Sequence, residues 1–413
     1  MNEFLKFTLE HFKLTEPQHF NNLTVFPLLS GLKAKQEYVM LAEALHNEWI
    51  EITEISESGS VPELFLKNHS EQFVLILDGE ELIGAKQNRV LNTTLLIPPE
   101  AKMEIPVSCT EQGRWSYSGP RRNYRPYRME EGFFGREEQS ENLRAEEERA
   151  AAKEAMEARR FKASEHMMFA RGKSGKMRNV HESLKKGMGH RSNQGEVWDD
   201  IRNLQMCMNV KSETSAMADV YEGKKQNLED YTQSFQLIEG QQGILVAIDG
   251  KLAGLEYLSR SENFAKVFTK LVESYSFDAL ARRSKEETEQ LPVEEAEAWL
   301  KTLLDAKLES FPARGAGQDY RLESEELVGA GLVEKEEVIN LSAFPQPQRR
   351  ERDDDSADLR FQRIRQRNRR AMSEQEFMTH RESLNRRVPG LDSSRHGERI
   401  VENLRRRKRT EES

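Results

Sequence analysis

The sequence predicts an α+β chain, with an antiparallel β-rich N-terminal half, a helical middle and a C-terminal hairpin-plus-helix unit. Three observations carry this expectation. Short apolar runs bounded by turn residues crowd the stretch from Phe20 to Trp115, as in FNNLTVFPLL and FVLILDGEELIG. From Val180 to Ile238 the spacing of apolar residues turns helical and proline is absent. A strand–Asp-Gly–strand pattern, GILVAIDGKLAGLEYL (Gly243–Leu258), is then followed by an amphipathic run over Phe264–Leu280.

Taken in order, Phe4, Phe7, Leu9 and Phe12 have the spacing of a short amphipathic helix, and residues 1–16 read as an extension ahead of a main domain at 17–345. Phe20–Leu29 reads as a strand that Pro27 assigns to a sheet edge. Tyr38–His46 reads as a helix by propensity, or as a short strand and helix start, and Ile50–Ile55 and Leu64–Leu66 read as short strands. In Phe73–Ile83 the Asp78-Gly79 pair predicts a tight hairpin, and Gly84 marks a bulge or a close backbone approach. Ala85–Ile97 reads as one strand, and Ile105–Gln112 as the next.

Composition changes after Trp115. GPRRNYRPYR (Gly119–Arg128) interleaves Arg with Tyr124 and Tyr127, and Glu137–Met168 is an Ala/Glu/Arg-rich charged helix of coiled-coil composition. Together these predict a long helical insertion at about 121–165. Helices are expected at Val180–Met188, Val197–Met208, Thr214–Tyr221, Leu228–Leu237, Phe264–Leu280 and Val293–Leu304. A strand pair, Leu308–Arg314 with Gln318–Glu323, and a last strand at Glu337–Phe344 close the domain. The tail 346–413 is poor in aliphatic residues and is expected to be disordered.

Net charge divides along the chain. The tail holds 19 Lys/Arg against 13 Asp/Glu, a surplus of six, so the remainder carries −15 of the overall −9. An acidic body disfavours non-specific nucleic-acid binding, and leaves the basic tail as the segment suited to an acidic protein or RNA. No apolar run approaches the roughly 20 residues of a membrane span, and the N-terminus lacks the basic-then-apolar pattern of a secretory signal. Cys109 and Cys207 cannot build a disulfide framework, which fits a reducing cytoplasm.

The chemistry concentrates in one polar run inside strand-like sequence: Lys86, Gln87, Asn88, Arg89 and Asn92. Strand alternation places Gln87 and Arg89 on one face, with Lys86, Asn88 and Asn92 on the other. A side-chain amide beside a guanidinium offers directed donors for carboxylate, phosphate or a ribose edge, although a polar strand centre facing water, or a buried network that only holds the fold, has the same composition. Glu111, Arg114 and Trp115 put a carboxylate, a guanidinium and an indole within a few residues, suited to a sugar or base, or to a packed ion pair. Cys109 among aliphatics reads as a core residue. Arg191 and Gln194, before Trp198, stand at a helix start, where anions bind but ordinary capping also occurs. The nine histidines show no metal-ligand spacing, and P-loop, dinucleotide and nucleophile-elbow motifs are absent.

Four blocks, GEELIGAKQNRVLNTTLLIPP, IPVSCTEQGRWSY, GHRSNQGEVWDDI and GILVAIDGKLAGLEYL, resemble in order the signature blocks of the ARG-and-rhodanese-phosphatase-associated protein (ARPP) domain. The resemblance spans about Pro17–Phe344; the charged insertion and the basic tail depart from it. It implies a role in NAD, ADP-ribose or related nucleotide metabolism, with no reaction or cofactor specified. It places Glu80, Lys86, Gln87, Asn88, Arg89, Asn92, Cys109, Glu111, Arg114, Trp115, Arg191, Gln194 and Trp198 at signature positions. The resulting expectation is a nucleotide-like ligand, with Glu111 as acid/base and Gln87, Arg89 and Arg114 as phosphate or ribose ligands. The alternative is a scaffold acting through its charged helix and tail.

Overall fold

A computed structural model describes residues 2–55, 62–84, 87–112, 160–282 and 290–346. Lys86, Arg114, Trp115, most of the charged insertion and the basic tail lie outside the described residues. Within them the chain is α+β, with seven helices and eighteen strands.

A nine-stranded antiparallel sheet forms the larger part. Its order is β1 (Lys13–Leu14), β3 (Leu23–Leu29), β13 (Gly243–Ile248), β14 (Lys251–Leu258), β18 (Glu337–Pro345), β17 (Leu327–Glu334), β16 (Gln318–Glu323) and β15 (Lys307–Pro312), with β2 (Gln18–Phe20) also paired to β3. Both faces are covered, which is why β13 is apolar throughout. Ile244, Val246 and Ile248 pack towards helix α6 (Ser261–Arg282), whose Phe264, Val267, Leu271 and Tyr275 join the same cluster. Leu245 and Ala247 face the other way, onto Leu5 and Leu9 of α1 (Glu3–Glu10) and Trp299, Leu300 and Leu303 of α7 (Val293–Asp305).

The N-terminal half folds into a second body. Its six-stranded sheet runs β12 (Phe161–Met167), β8 (Glu80–Gly84), β9 (Arg89–Leu91), β11 (Lys102–Cys109), β6 (Glu63–Asn68) and β5 (Ile50–Glu54). A bridge from Thr53 to Arg160 joins the two outer strands, so the sheet closes into a small barrel. Ile52, Leu66, Leu82, Leu91, Ile105, Val107 and Phe161 fill it. A three-stranded sheet, β10 (Leu95–Ile97), β7 (Val74–Ile76) and β4 (Val39–Met40), adds Val74, Ile76, Leu95 and Ile97 to that core, with Leu41 of α2 (Leu41–His46). Three helices, α3 (Ala170–Lys185), α4 (Gln194–Met208) and α5 (Met217–Gln233), complete the described residues.

Several expectations are corrected. Asp249-Gly250 makes a true hairpin between β13 and β14, with φ of 53° and 69° at its two central residues. Asp78-Gly79 does not: β7 pairs with β10 and β4, whereas β8 pairs with β12 and β9. Only Gly79 of that pair has positive φ, at 82°, and a turn of that kind splays its flanking strands instead of matching their twist. Ala85–Ile97 is not one strand, because Asn92–Thr94 break it into β9 and β10. Pro27 does not lie at an edge. It stands opposite Ile244 of β13 on one side, and on the other side its carbonyl accepts from the Thr15 amide. The charged helix is not continued to Met168, since Phe161–Met167 is a strand held to β8. One helix, α5, replaces the two expected around Tyr221 and Leu228.

Gly84 is the close approach its position suggested. Its φ is +144°, and an added Cβ would lie 2.6 Å from the Arg160 carbonyl oxygen. Gly84→Ala therefore strains the backbone and pushes β12 off the barrel. The expected cost is about 1–3 kcal/mol, read as a lowered urea midpoint at unchanged slope.

Candidate functional site

The polar residues singled out from the sequence gather at one mouth of the barrel. Strand alternation turns Arg89 inward with Leu91, Glu54 inward with Ile52, and Cys109 inward with Val107, so these three sit where the apolar filling ends. Arg89 is 0% exposed. Its Nη1 donates to Gln87 Oε1 at 3.0 Å, and its Nη2 stands 3.6 Å from Glu54 Oε1. Nε and Nη2 make no hydrogen bond to any described residue. Gln87 Nε2 donates in turn to the Glu111 carbonyl at 2.9 Å. The Glu111 carboxylate accepts from the Thr214 hydroxyl at 2.9 Å, and its backbone bridges to Ala216. Gln87, Arg89 and Glu111 therefore form one connected array.

The other predicted residues have different positions. Gln194, at the start of α4, accepts from the Cys109 amide at 2.7 Å and donates to the Cys109 carbonyl at 2.9 Å. Its amide thereby continues the sheet pairing at the edge of β11 and is fully committed there. Asn92 donates to the His190 carbonyl and accepts from Ser108, so it ties two loops together. Asn88 passes its carbonyl to the Thr110 amide. The Arg191 side chain is exposed. Burial pushes the Cys109 thiol up to about 11, which suits a core residue and not a nucleophile.

Two features were missed by the sequence reading. The first is Glu81, on β8 facing away from the barrel interior and 1% exposed. Its two carboxyl oxygens accept from the hydroxyls of Thr110, at 2.9 Å, and Ser164, at 3.1 Å. Desolvation pushes this carboxyl up to about 7, against the two hydroxyls that favour its charged form.

The second is a junction of buried charges where α3 passes between the barrel and the large sheet. Lys173 meets Glu256, which also accepts from Ser342 at 2.6 Å. Lys176 meets Asp78 and the Leu91 carbonyl. Arg321 donates to Asp319 at 2.6 Å and to Thr93 at 2.8 Å, and His190 lies 2.8 Å from Asp319. Asp78, Thr93, Asp319 and Asn340, together with Met177 and Leu332, line a small cavity of mixed polarity there, with room for about one water. Each of these charges has a partner of opposite sign, the condition for burying it at tolerable cost. A further group, His181, Glu309 and Glu323, brings its polar atoms within 4.8 Å of one another. The Lys185 ammonium already lies 2.5 Å from Glu323, so those carboxylates face a cation of the chain itself.

No helix among the described residues is long and apolar enough to cross a membrane. No curated protein and no solved structure matches the chain. The model of the ARG and Rhodanese-Phosphatase-superfamily-associated Protein domain matches residues 11–159 and 146–344. That span contains the barrel, the helical layer and the large sheet, and the chain is a member of this family.

Proposed function

We propose that the chain binds a nucleotide-like ligand of the ADP-ribose class at the barrel mouth and acts on it, with Glu111 as the acid/base and Gln87 and Arg89 as phosphate or ribose ligands. One observation carries the reading: a fully buried guanidinium has two nitrogens without a hydrogen bond to any described residue, beside a chain of directed polar groups that ends at Glu111. A buried donor left unmade costs about 1–3 kcal/mol, more for a charged group, and an anionic ligand would recover that cost. Barrel mouths are common places for such ligands. The family's association with ADP-ribosylglycohydrolases and rhodanese-phosphatases supports the same substrate class. Acid/base help from a positioned carboxylate is worth roughly 10²–10⁴-fold in rate.

The test is calorimetric titration with ADP-ribose and NAD, followed by turnover assays. Arg89→Lys is expected to weaken ADP-ribose binding by at least about tenfold, because an ammonium cannot reproduce the planar fork. Glu111→Gln is expected to keep binding and lose turnover. Undiminished turnover in Glu111→Gln excludes Glu111 as the acid/base, and the absence of binding by the unsubstituted protein excludes the ligand class.

A further inference from the structure

Glu81 differs from its buried acidic neighbours in what surrounds it. Asp78, Glu80, Glu256 and Asp319 each face a lysine or arginine, namely Lys176, Lys270, Lys173 and Arg321. Glu81 faces two hydroxyls. Ser164 accepts from the His166 amide and donates to a Glu81 carboxylate, with a second lone pair left to accept from the acid. The Thr110 hydroxyl is free to reverse, donating to a carboxylate or accepting from a carboxylic acid. Thr110 also ties the barrel mouth together: its amide donates to the Asn88 carbonyl, its carbonyl accepts from the Met217 amide, and it directly precedes Glu111. The charged and titratable groups around Glu81 are His166 on β12, Glu111 beyond β11, Tyr221 on α5 and Glu80 on β8. Lys270 and Glu273 of α6 stand behind them, on Glu80 and His166 respectively.

We propose that Glu81 is a protonatable positioning residue of the barrel-mouth site, uncharged when an anionic ligand binds and opposing that ligand once it ionises. The proposal rests on the reading above that the site takes an ADP-ribose-like anion. In its neutral form Glu81 keeps Thr110 in place through one hydrogen bond and adds no charge. In its ionised form it adds a further buried negative charge near Glu111, on the low-dielectric side of the site, where repulsion of a pyrophosphate is screened least. The pyrophosphate of ADP-ribose is a diester and does not itself titrate near neutrality, so the ligand supplies no competing pH dependence.

Two measurements test this. ADP-ribose affinity is expected to fall on the order of tenfold between pH 6 and pH 8 in the unsubstituted protein. It should be nearly flat in Glu81→Gln, the isostere of the neutral acid. The same pH dependence in Glu81→Gln overturns the proposal. The second measurement needs no ligand. A carboxyl raised from 4.5 to about 7 contributes stability that is complete below pH 4.5 and is lost as pH rises towards 7. The folding equilibrium constant of the unsubstituted protein, relative to Glu81→Gln, is therefore expected to drop by up to about tenfold per pH unit from pH 5 to 7 and to level off above. Parallel stability curves overturn the proposal whether or not ADP-ribose binds. A protein that shows the stability difference but binds no ADP-ribose leaves Glu81 as the titrating group and removes the ligand reading instead. If Glu81→Gln does not fold, Thr110→Val removes a hydroxyl that favours the charged form and is expected to move the affinity midpoint to higher pH; an unmoved midpoint overturns the proposal.

Discussion

Lys176→Ala is expected to lower folding stability by about 3–5 kcal/mol, the range found when one member of a buried ion pair is removed. Lys176 is 1% exposed and lies between Asp78 and the Leu91 carbonyl. Burial pushes its ammonium below the usual lysine value, and the Asp78 carboxylate works against that push. With the ammonium gone, Asp78 is left charged and desolvated at the junction of barrel and sheet, its backbone amide still held by Thr94. Chemical denaturation followed by tryptophan fluorescence reads the loss. The double variant Lys176→Met/Asp78→Leu replaces both charges with apolar groups and is expected to recover at least half of it. A double variant no more stable than Lys176→Ala would show that the lost energy came from the lysine stem's packing and not from a stranded charge.

Gly243→Ala should cost about 3 kcal/mol, at the upper end for an overpacked position. Gly243 lies between β3 and β14, opposite Leu28 and Tyr257. A Cβ there would stand 2.5 Å from the Glu256 carbonyl oxygen and 3.3 Å from the Tyr257 Cα. Both are backbone atoms of a paired strand, so no rotamer change relieves the contact. The same substitution at Gly195, where the nearest atom is an exposed Asn193 side-chain oxygen at 3.4 Å, is expected to change stability by less than about 0.5 kcal/mol. Thermal melts of the two variants side by side make the comparison.

The elements that were legible in the sequence are those whose pattern is local. GILVAIDGKLAGLEYL announces a hairpin because both its strands and its turn chemistry lie within sixteen residues. The amphipathic α6 is plain for the same reason. Strand β12, FKASEHM, was hidden because only Phe161, Ser164 and Met167 are buried in it, inside an otherwise charged run. Strand β17 was passed over because Gly329 and Gly331 interrupt its apolar pattern; they are needed where Leu322, Leu341 and Leu5 press against the backbone. The polar array was half visible. Gln87, Arg89 and Glu111 stood out as polar residues in strand-like sequence, and the fold does connect them. Gln194 looked like ligand chemistry, and its amide pairs with the Cys109 backbone. Lys173 and Lys176 carried no signal in the sequence. Their burial is decided by Glu256 and Asp78, which are 83 and 98 residues away, and no local pattern records such a partner.

The pairing of β3 with β13 has a consequence for biosynthesis. The two strands are separated by about two hundred residues, so LTVFPLL leaves the ribosome with no partner on its β13 side for roughly ten seconds or more at ordinary elongation rates. For that interval β3 is an edge, apolar on both faces and open to pairing with other nascent chains. Pro27 gives no protection there: its carbonyl faces Thr15, so its missing amide lies on the β1 side and the donors of the β13 side are all present.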